Sequence, residues 1–223
     1  MKSRLFFKLV TVFAFFTGIY TNAQDVVKSE GLTDFDRLVF YDFRGTNAFN
    51  VSGGLASISS DYDNSEFKFQ FKAGYKRFLS NYLNLNLSVG SFKLANTDLF
   101  EDQYTSIDLN IEFLLSPYER FSPFAYGGYG IVSAKDIDTS AGKVQAGLGA
   151  EYIVYDGLAI KLYAEYNYTT SDELEGFIGD TGNDSFLRFG LGLNVYFGGE
   201  EQRNKLLENQ DTVIKSNQII IDN

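Results

Sequence analysis

Ten charged residues stand in register with apolar ones along this chain and are the first candidates for chemistry. They are Lys68, Lys72, Lys76, Lys143, Lys161 and Arg188, against Asp108, Glu112, Glu151 and Glu165. Opposed carboxylates and ammonium groups can move protons, and a serine–lysine pair can activate a nucleophile. The commonest general base is missing, however: the 223 residues include no histidine and no cysteine. That removes histidine triads, thiolate metal sites, disulfides and a lipid-modified N-terminal cysteine. No serine–lysine spacing stands out. The expectation is a protein without catalytic, cofactor-binding or metal-binding residues, and therefore not an enzyme.

Two further patterns carry less than they suggest. Gly128-Tyr129-Gly130, Gly147-Leu148-Gly149 and Gly190-Leu191-Gly192 match G-x-G. They lack the strand–turn–helix setting of a dinucleotide site and read as strand glycines. Asp61-Tyr62-Asp63-Asn64-Ser65-Glu66 resembles the start of a calcium loop, but its sixth position is not glycine and Lys72 occupies the twelfth. The net charge of −10 argues against a nucleic-acid partner.

The charged residues sit in segments that alternate apolar and polar, which is the signature of strands. Phe67, Phe69, Phe71, Ala73 and Tyr75 interleave with Lys68, Gln70, Lys72, Gly74 and Lys76; Leu187 to Phe197 alternates equally cleanly. Eight strands follow, at 47–58, 67–78, 83–94, 104–115, 122–133, 142–154, 158–169 and 185–197. Each runs ~12 residues, which at ~3.3 Å per residue and ~40° tilt crosses a bilayer core. Parity breaks near Gly90 and near Gly127-Gly128, where a glycine bulge would shift the facing. The links at 79–82, 116–121 and 155–157 are short. Those at 59–66, 95–103, 134–141 and 170–184 are longer and rich in Asp and Glu, the pattern of bacterial membrane barrels.

The ends are different in kind. Lys2, Arg4 and Lys8, the apolar run Leu9–Phe16, and small Thr21 and Ala23 read as a signal peptide over 1–23, cleaved after Ala23. No stretch is long and apolar enough for a transmembrane helix, so a membrane form must be a closed barrel. Residues 24–46 are an aromatic-rich periplasmic segment expected to line the barrel rim. The barrel itself spans 47–197. Residues 198–223 form a polar periplasmic tail with a short helix at 200–208.

The fold class expected is all-β: an eight-stranded antiparallel transmembrane up-and-down barrel in the outer membrane. Its facing is set by glycine. Gly147, Gly149, Gly190 and Gly192 share a face with Glu151, Lys161, Glu165 and Arg188. Small residues beside long ones suit a narrow interior, so the ten charges should form a salt-bridge network across the lumen. Tyr75, Tyr104, Phe113, Tyr152, Tyr168 and Phe197 then sit near strand ends on the outer face, as interfacial girdles.

Three stretches carry a resemblance. Gly74-Tyr75-Lys76-Arg77-Phe78 with Tyr82–Leu87 is one, and Gly147–Tyr152 through Asp156-Gly157-Leu158 to Glu165–Tyr168 is another. The closing Gly190–Gly199 is the third. Over 45–199 the chain resembles small eight-stranded outer-membrane barrels of Bacteroidota bacteria, often labelled curli production assembly or transport components. The resemblance implies a non-enzymatic barrel in contact with outer-membrane lipids and lipopolysaccharide, accessory to a secretion component in the periplasm or outer membrane. Two other readings stay open at this point: a soluble exported barrel around an apolar ligand, and a small channel.

Overall fold

The computed structural model describes residues 34–59, 66–96, 100–134, 140–169 and 185–209. Helix α1 (Asp34–Phe43) precedes β1 (Asn47–Ser59), β2 (Lys68–Phe78), β3 (Leu83–Asn96) and β4 (Phe100–Leu114). Then come β5 (Phe121–Ala134), β6 (Ser140–Tyr155), β7 (Leu158–Thr169), β8 (Ser185–Phe197) and helix α2 (Glu200–Asn209). Each strand pairs antiparallel with its sequence neighbours, and β8 returns to β1, closing an up-and-down barrel. The closing seam runs from Asn47 opposite Phe197 to Ser59 opposite Ser185. Closure satisfies every ladder and leaves no open edge, the condition for strands to cross lipid. Among the described residues no helix is long and apolar enough to cross a membrane.

The pleat sorts the sequence. Along β7, Ala159, Lys161, Tyr163, Glu165, Asn167 and Thr169 are buried while the residues between them are outward. Along β8, Arg188, Gly190, Gly192, Asn194 and Tyr196 point in. The outer face presents Phe69, Leu109, Leu148, Leu162 and Leu191. Apolar side out and polar side in is the reverse of a soluble ligand-binding barrel and matches a lipid-facing wall.

No bulge occurs at Gly90 or at Gly127-Gly128: β3 and β5 pair in unbroken register with both neighbours. What changes there is chemistry. Phe92, Leu94 and Val132 turn inward at the loop end of the barrel, while Lys93 faces out. The one register shift among the described pairings lies between Ile153 and Tyr155, beside the β6–β7 turn. Tyr104 belongs to the inner face, 1% exposed, and not to an outer girdle. Phe113, Tyr152, Tyr168 and Phe197 do face outward.

Strands β3 to β6 run further than their patterns foretold. Asn96 pairs with Phe100 and Ser133 with Ser140, so the second and third long links shrink to 97–99 and 135–139. The calcium-loop-like stretch 61–65, most of the acidic link residues, the proposed signal peptide and residues 210–223 lie outside the described residues.

The three short links share one end of the barrel with the start of β1 and the end of β8, here termed the terminal end. Asp156-Gly157 closes β6 onto β7 with Gly157 at φ +83°, a left-handed position that glycine adopts without strain. Helix α1 packs into this end rather than lining its rim. Phe40 is 1% exposed within a cluster including Phe78, Leu114, Phe124 and Tyr196. Tyr41 packs edge-on against Phe40 at 5.4 Å, and burial raises its phenol pKa despite the opposing pull of Arg37. Gly157 N–H donates to Phe43 O at 3.1 Å, tying the helix end to the turn. After β8, Gly198 and Gly199 at φ +74° and +97° turn the chain into α2. That helix, expected at 200–208, forms at Glu200–Asn209, and Arg203 Nε donates to Asp42 on α1 at 2.9 Å.

Candidate functional site: the barrel lumen

Eight strands enclose a space only wide enough for side chains, so what fills it decides what the barrel can do. The filling is layered. At the loop end, Phe92 stacks on Tyr104 at 5.6 Å and on Phe186 at 5.1 Å, within an apolar cluster that includes Leu94 and Val132. At the terminal end, Phe40, Phe78, Leu114, Ile153 and Tyr196 form a second apolar layer. The charges lie between.

The inner glycines make this possible, though what they admit is mainly aromatic. A Cβ on Gly190 would meet the Tyr163 ring at 2.5 Å, and Cβ atoms on Gly147 and Gly149 would collide with Tyr126 and Phe124. Each ring lies over the glycine directly opposite it on the neighbouring strand: Tyr126 over Gly147, Phe124 over Gly149 and Tyr163 over Gly190. Their hydroxyls then reach the polar layer: Tyr126 Oη donates to Glu165 Oε2 at 2.8 Å, and Gln70 Nε2 donates to Tyr163 Oη at 3.1 Å.

Five strands contribute to the loop-side charge group. Arg188 on β8 donates through Nη2 to Asp108 Oδ2 at 2.8 Å and through Nε to Glu165 Oε1 at 2.7 Å. Glu165 is its direct register partner on β7. Lys72 on β2 reaches Glu165 Oε2 at 2.9 Å and Asp108 Oδ2 at 3.4 Å. Lys143 on β6 lies 2.8 Å from Asp108 Oδ1, while its hydrogen bonds go to Gln145 Oε1 and Asn167 Oδ1 at 2.9 and 2.5 Å. The Arg188 guanidinium lies over Phe92 and Phe186 at 5.3 and 5.7 Å, joining the ion pairs to the aromatic layer above.

Towards the terminal end, Lys76 donates to Glu112 Oε1 at 2.5 Å and Asn84 Nδ2 to the same oxygen at 3.0 Å. Glu151 accepts from Arg44 Nε at 2.7 Å, Tyr196 Oη at 2.5 Å and Asn194 Nδ2 at 3.0 Å. Lys161, its register partner on β7, donates instead to Asn50 Oδ1 at 3.2 Å.

The structure therefore brings together nine of the ten residues singled out from the sequence. Lys68 is the exception: it sits at the loop mouth, half-buried, 2.8 Å from Glu66. Arg44 takes the place of the sixth cation. Sequence reasoning put it in the N-terminal segment, although a lone arginine three residues before the first strand was a visible signal. Its Nη1 also donates to Pro117 O at 2.6 Å, and its side chain is wholly buried.

The arrangement is one of mutual satisfaction. Each buried carboxylate among the described residues is engaged by one or more cations. Among the described residues, no group of three or more His, Cys, Asp or Glu could hold a metal ion. A cavity of about 20 Å³, lined in part by Lys72, Glu112, Tyr126, Lys161 and Tyr163, lies between the two charge groups.

Residues 41–197 match the family model described as outer membrane protein beta-barrel domain. Among solved structures, Neisserial surface protein A is similar at 16% identity and TM-score 0.54, over 69% of this chain and 98% of its own. OprG from Pseudomonas aeruginosa is 10% identical over 71% of this chain and 99% of its own, with TM-score 0.48. The attachment invasion locus protein Ail of Yersinia pestis is 16% identical over 69% and 99%, with TM-score 0.45. No curated protein sequence matches the chain. With 41–197 taking in the whole barrel and the last three residues of α1, the chain belongs to the outer membrane protein beta-barrel domain family and is a protein of the outer membrane.

Proposed function

We propose that this is a non-enzymatic outer-membrane barrel with a structural or accessory role in surface export or assembly, of the kind seen in curli-like fibre secretion. Residues 1–23 serve as its signal peptide. The terminal end, with α1 and α2, faces the periplasm, and the long acidic links face outward beside lipopolysaccharide.

The observation that carries this reading is the filled lumen. Among the described residues, an apolar layer towards each end and interlocked ion pairs between them occupy it with side chains. What the protein can offer a partner is then its outer wall, its acidic links and its helical terminal cap. The accessory part rests on the resemblance of 45–199 to barrels labelled for curli assembly, and on the cap that α1 and α2 build beneath the wall.

Cross-linking in intact cells followed by co-purification from the outer membrane tests it. A secretion component should be recovered with the full chain, and disruption of the gene should reduce surface fibre. Steady large-conductance openings in a planar bilayer would count against a closed lumen. Unchanged surface fibre on disruption would remove the export role.

A further inference from the structure

The buried luminal charges do not balance. Among the described residues, Arg44, Lys72, Lys76, Lys143, Lys161 and Arg188 are buried against Asp108, Glu112, Glu151 and Glu165, six cations to four anions. The Arg44–Glu151 pair is neutral by itself. One excess positive charge lies in the loop-side group, where three cations meet two carboxylates. The other lies with Lys76 and Lys161, which share Glu112. An apolar layer lies towards each end of this space. An uncompensated ammonium in such a place is very costly unless it finds a counter-charge or loses its proton.

Lys161 is the cation least well provided for. Its side chain is buried, it donates one hydrogen bond of three, and that one goes to a neutral amide. The Tyr163 ring at 5.5 Å adds a weakly negative face. Its natural partner across the strands, Glu151, is already filled by Arg44, Tyr196 and Asn194. Glu112 is filled at Oε1 by Lys76 and Asn84. The cavity of about 20 Å³ opens beside Lys161 and touches Lys72 of the other group, so it lies between the two charge groups. Its volume suits a single particle a little larger than water.

We propose that this cavity binds one small monovalent anion of the chloride class, held by Lys161 and Lys72. Asn86 and Asn110, which also line the space, offer amide groups to such an ion. Glu112 lines it too, but its charge is already matched by Lys76. A cation there would face two ammonium groups. The competing occupant is water beside a neutral Lys161.

The test uses halide probes on the protein refolded in detergent, so that the halide is present while the lumen forms. Crystals of protein refolded in sodium bromide should show one anomalous peak in the cavity, within hydrogen-bonding reach of Lys161 Nζ. The urea midpoint should be higher in sodium chloride than in sodium gluconate at equal ionic strength. Above saturation, the unfolding equilibrium constant should fall about tenfold for each tenfold rise in chloride. Lys161→Met, which needs no counter-ion, should fold and lose the chloride dependence. An absent bromide peak overturns the proposal whatever the midpoints do, and leaves water as the occupant. A chloride dependence that survives in Lys161→Met also overturns it, because the ion then binds elsewhere.

Discussion

Arg44 and Glu151 form an ion pair at 2.7 Å with both side chains wholly buried, although 107 residues separate them in sequence. The pair joins the stretch between α1 and β1 to the inner face of β6. Arg44 also bonds Pro117 O and Glu119 O, so one guanidinium links α1 to the β4–β5 turn and to the wall. Arg44→Met takes from the buried Glu151 carboxylate the cation it is bonded to, leaving Tyr196 and Asn194 as its donors. Removing one member of a buried pair costs roughly 3–5 kcal/mol, whereas replacing both by apolar groups is often near neutral. The urea midpoint should therefore fall sharply for Arg44→Met and recover in part for Arg44→Met with Glu151→Leu. If the double variant is as weak as the single one, burial of Arg44 itself, and not its pairing, is what matters.

Facing is open to a direct test on the outer wall. Leu109 and Leu191 are 41% and 60% exposed on strands β4 and β8, on the face assigned to lipid. Arginine at either position should weaken insertion by ~2–4 kcal/mol if the site lies near the bilayer midplane, and less near an interface. Refolding yield into lipid vesicles, read by heat-modifiable migration, measures this. Parent-like insertion of both variants would mean that these positions do not meet lipid.

Gly190 and Tyr163 make a complementary pair on the inside. A Cβ at Gly190 would stand 2.5 Å from the Tyr163 ring, which is bonded to Gln70 and Ser52 across the lumen. Gly190→Leu should cost upwards of ~1–3 kcal/mol through overpacking. Tyr163→Ala in the same chain removes the obstructing ring and should restore much of the loss. Urea midpoints of the two single variants and the double variant give the coupling; additive losses would show that the glycine is needed for another reason.

The strands were legible because their signal is local. In β7 and β8 each residue's chemistry states its side, and both strands have the limits read from the sequence. The lumen was legible for the same reason, since all ten charged positions fall on inward rows, with Lys68 alone lying at the loop mouth instead of in the buried network. What escaped was tertiary. Phe92, Leu94 and Tyr104 look like outer-face residues because they are apolar, yet the loop end of the lumen is apolar as well. No periodicity can report that change of inner environment, and a supposed bulge was the natural misreading. The stretch Asp34–Phe43 carries no strand alternation, and its helix is stabilised by what Phe40 and Arg44 find beneath the barrel. Those partners, Phe78, Tyr196 and Glu151, lie far away in sequence.

The two helices at the terminal end should respond oppositely to deletion. Helix α2 follows a barrel already closed at Phe197. The ion pair of Arg203 with Asp42 is exposed, with side chains 44% and 46% accessible, and such pairs contribute only ~0–1 kcal/mol. Deleting residues 200–223 should leave heat-modifiable folding intact and change the urea midpoint little. Helix α1 instead places Phe40 inside the terminal apolar layer, 5.3 Å from the Phe78 ring. Phe40→Ala alone should cost ~3–5 kcal/mol, in the range of other buried phenylalanines. Deleting residues 34–43 should do at least as much, because it also opens the layer that keeps water from Lys76 and Glu112. Both deletions are read in the same detergent, against the same urea series. A barrel unaffected by loss of 34–43 would show that α1 only rests on a lumen already closed by its own side chains. A barrel that fails to fold without 200–223 would show that the tail belongs to the barrel and that the boundary at Phe197 is wrong.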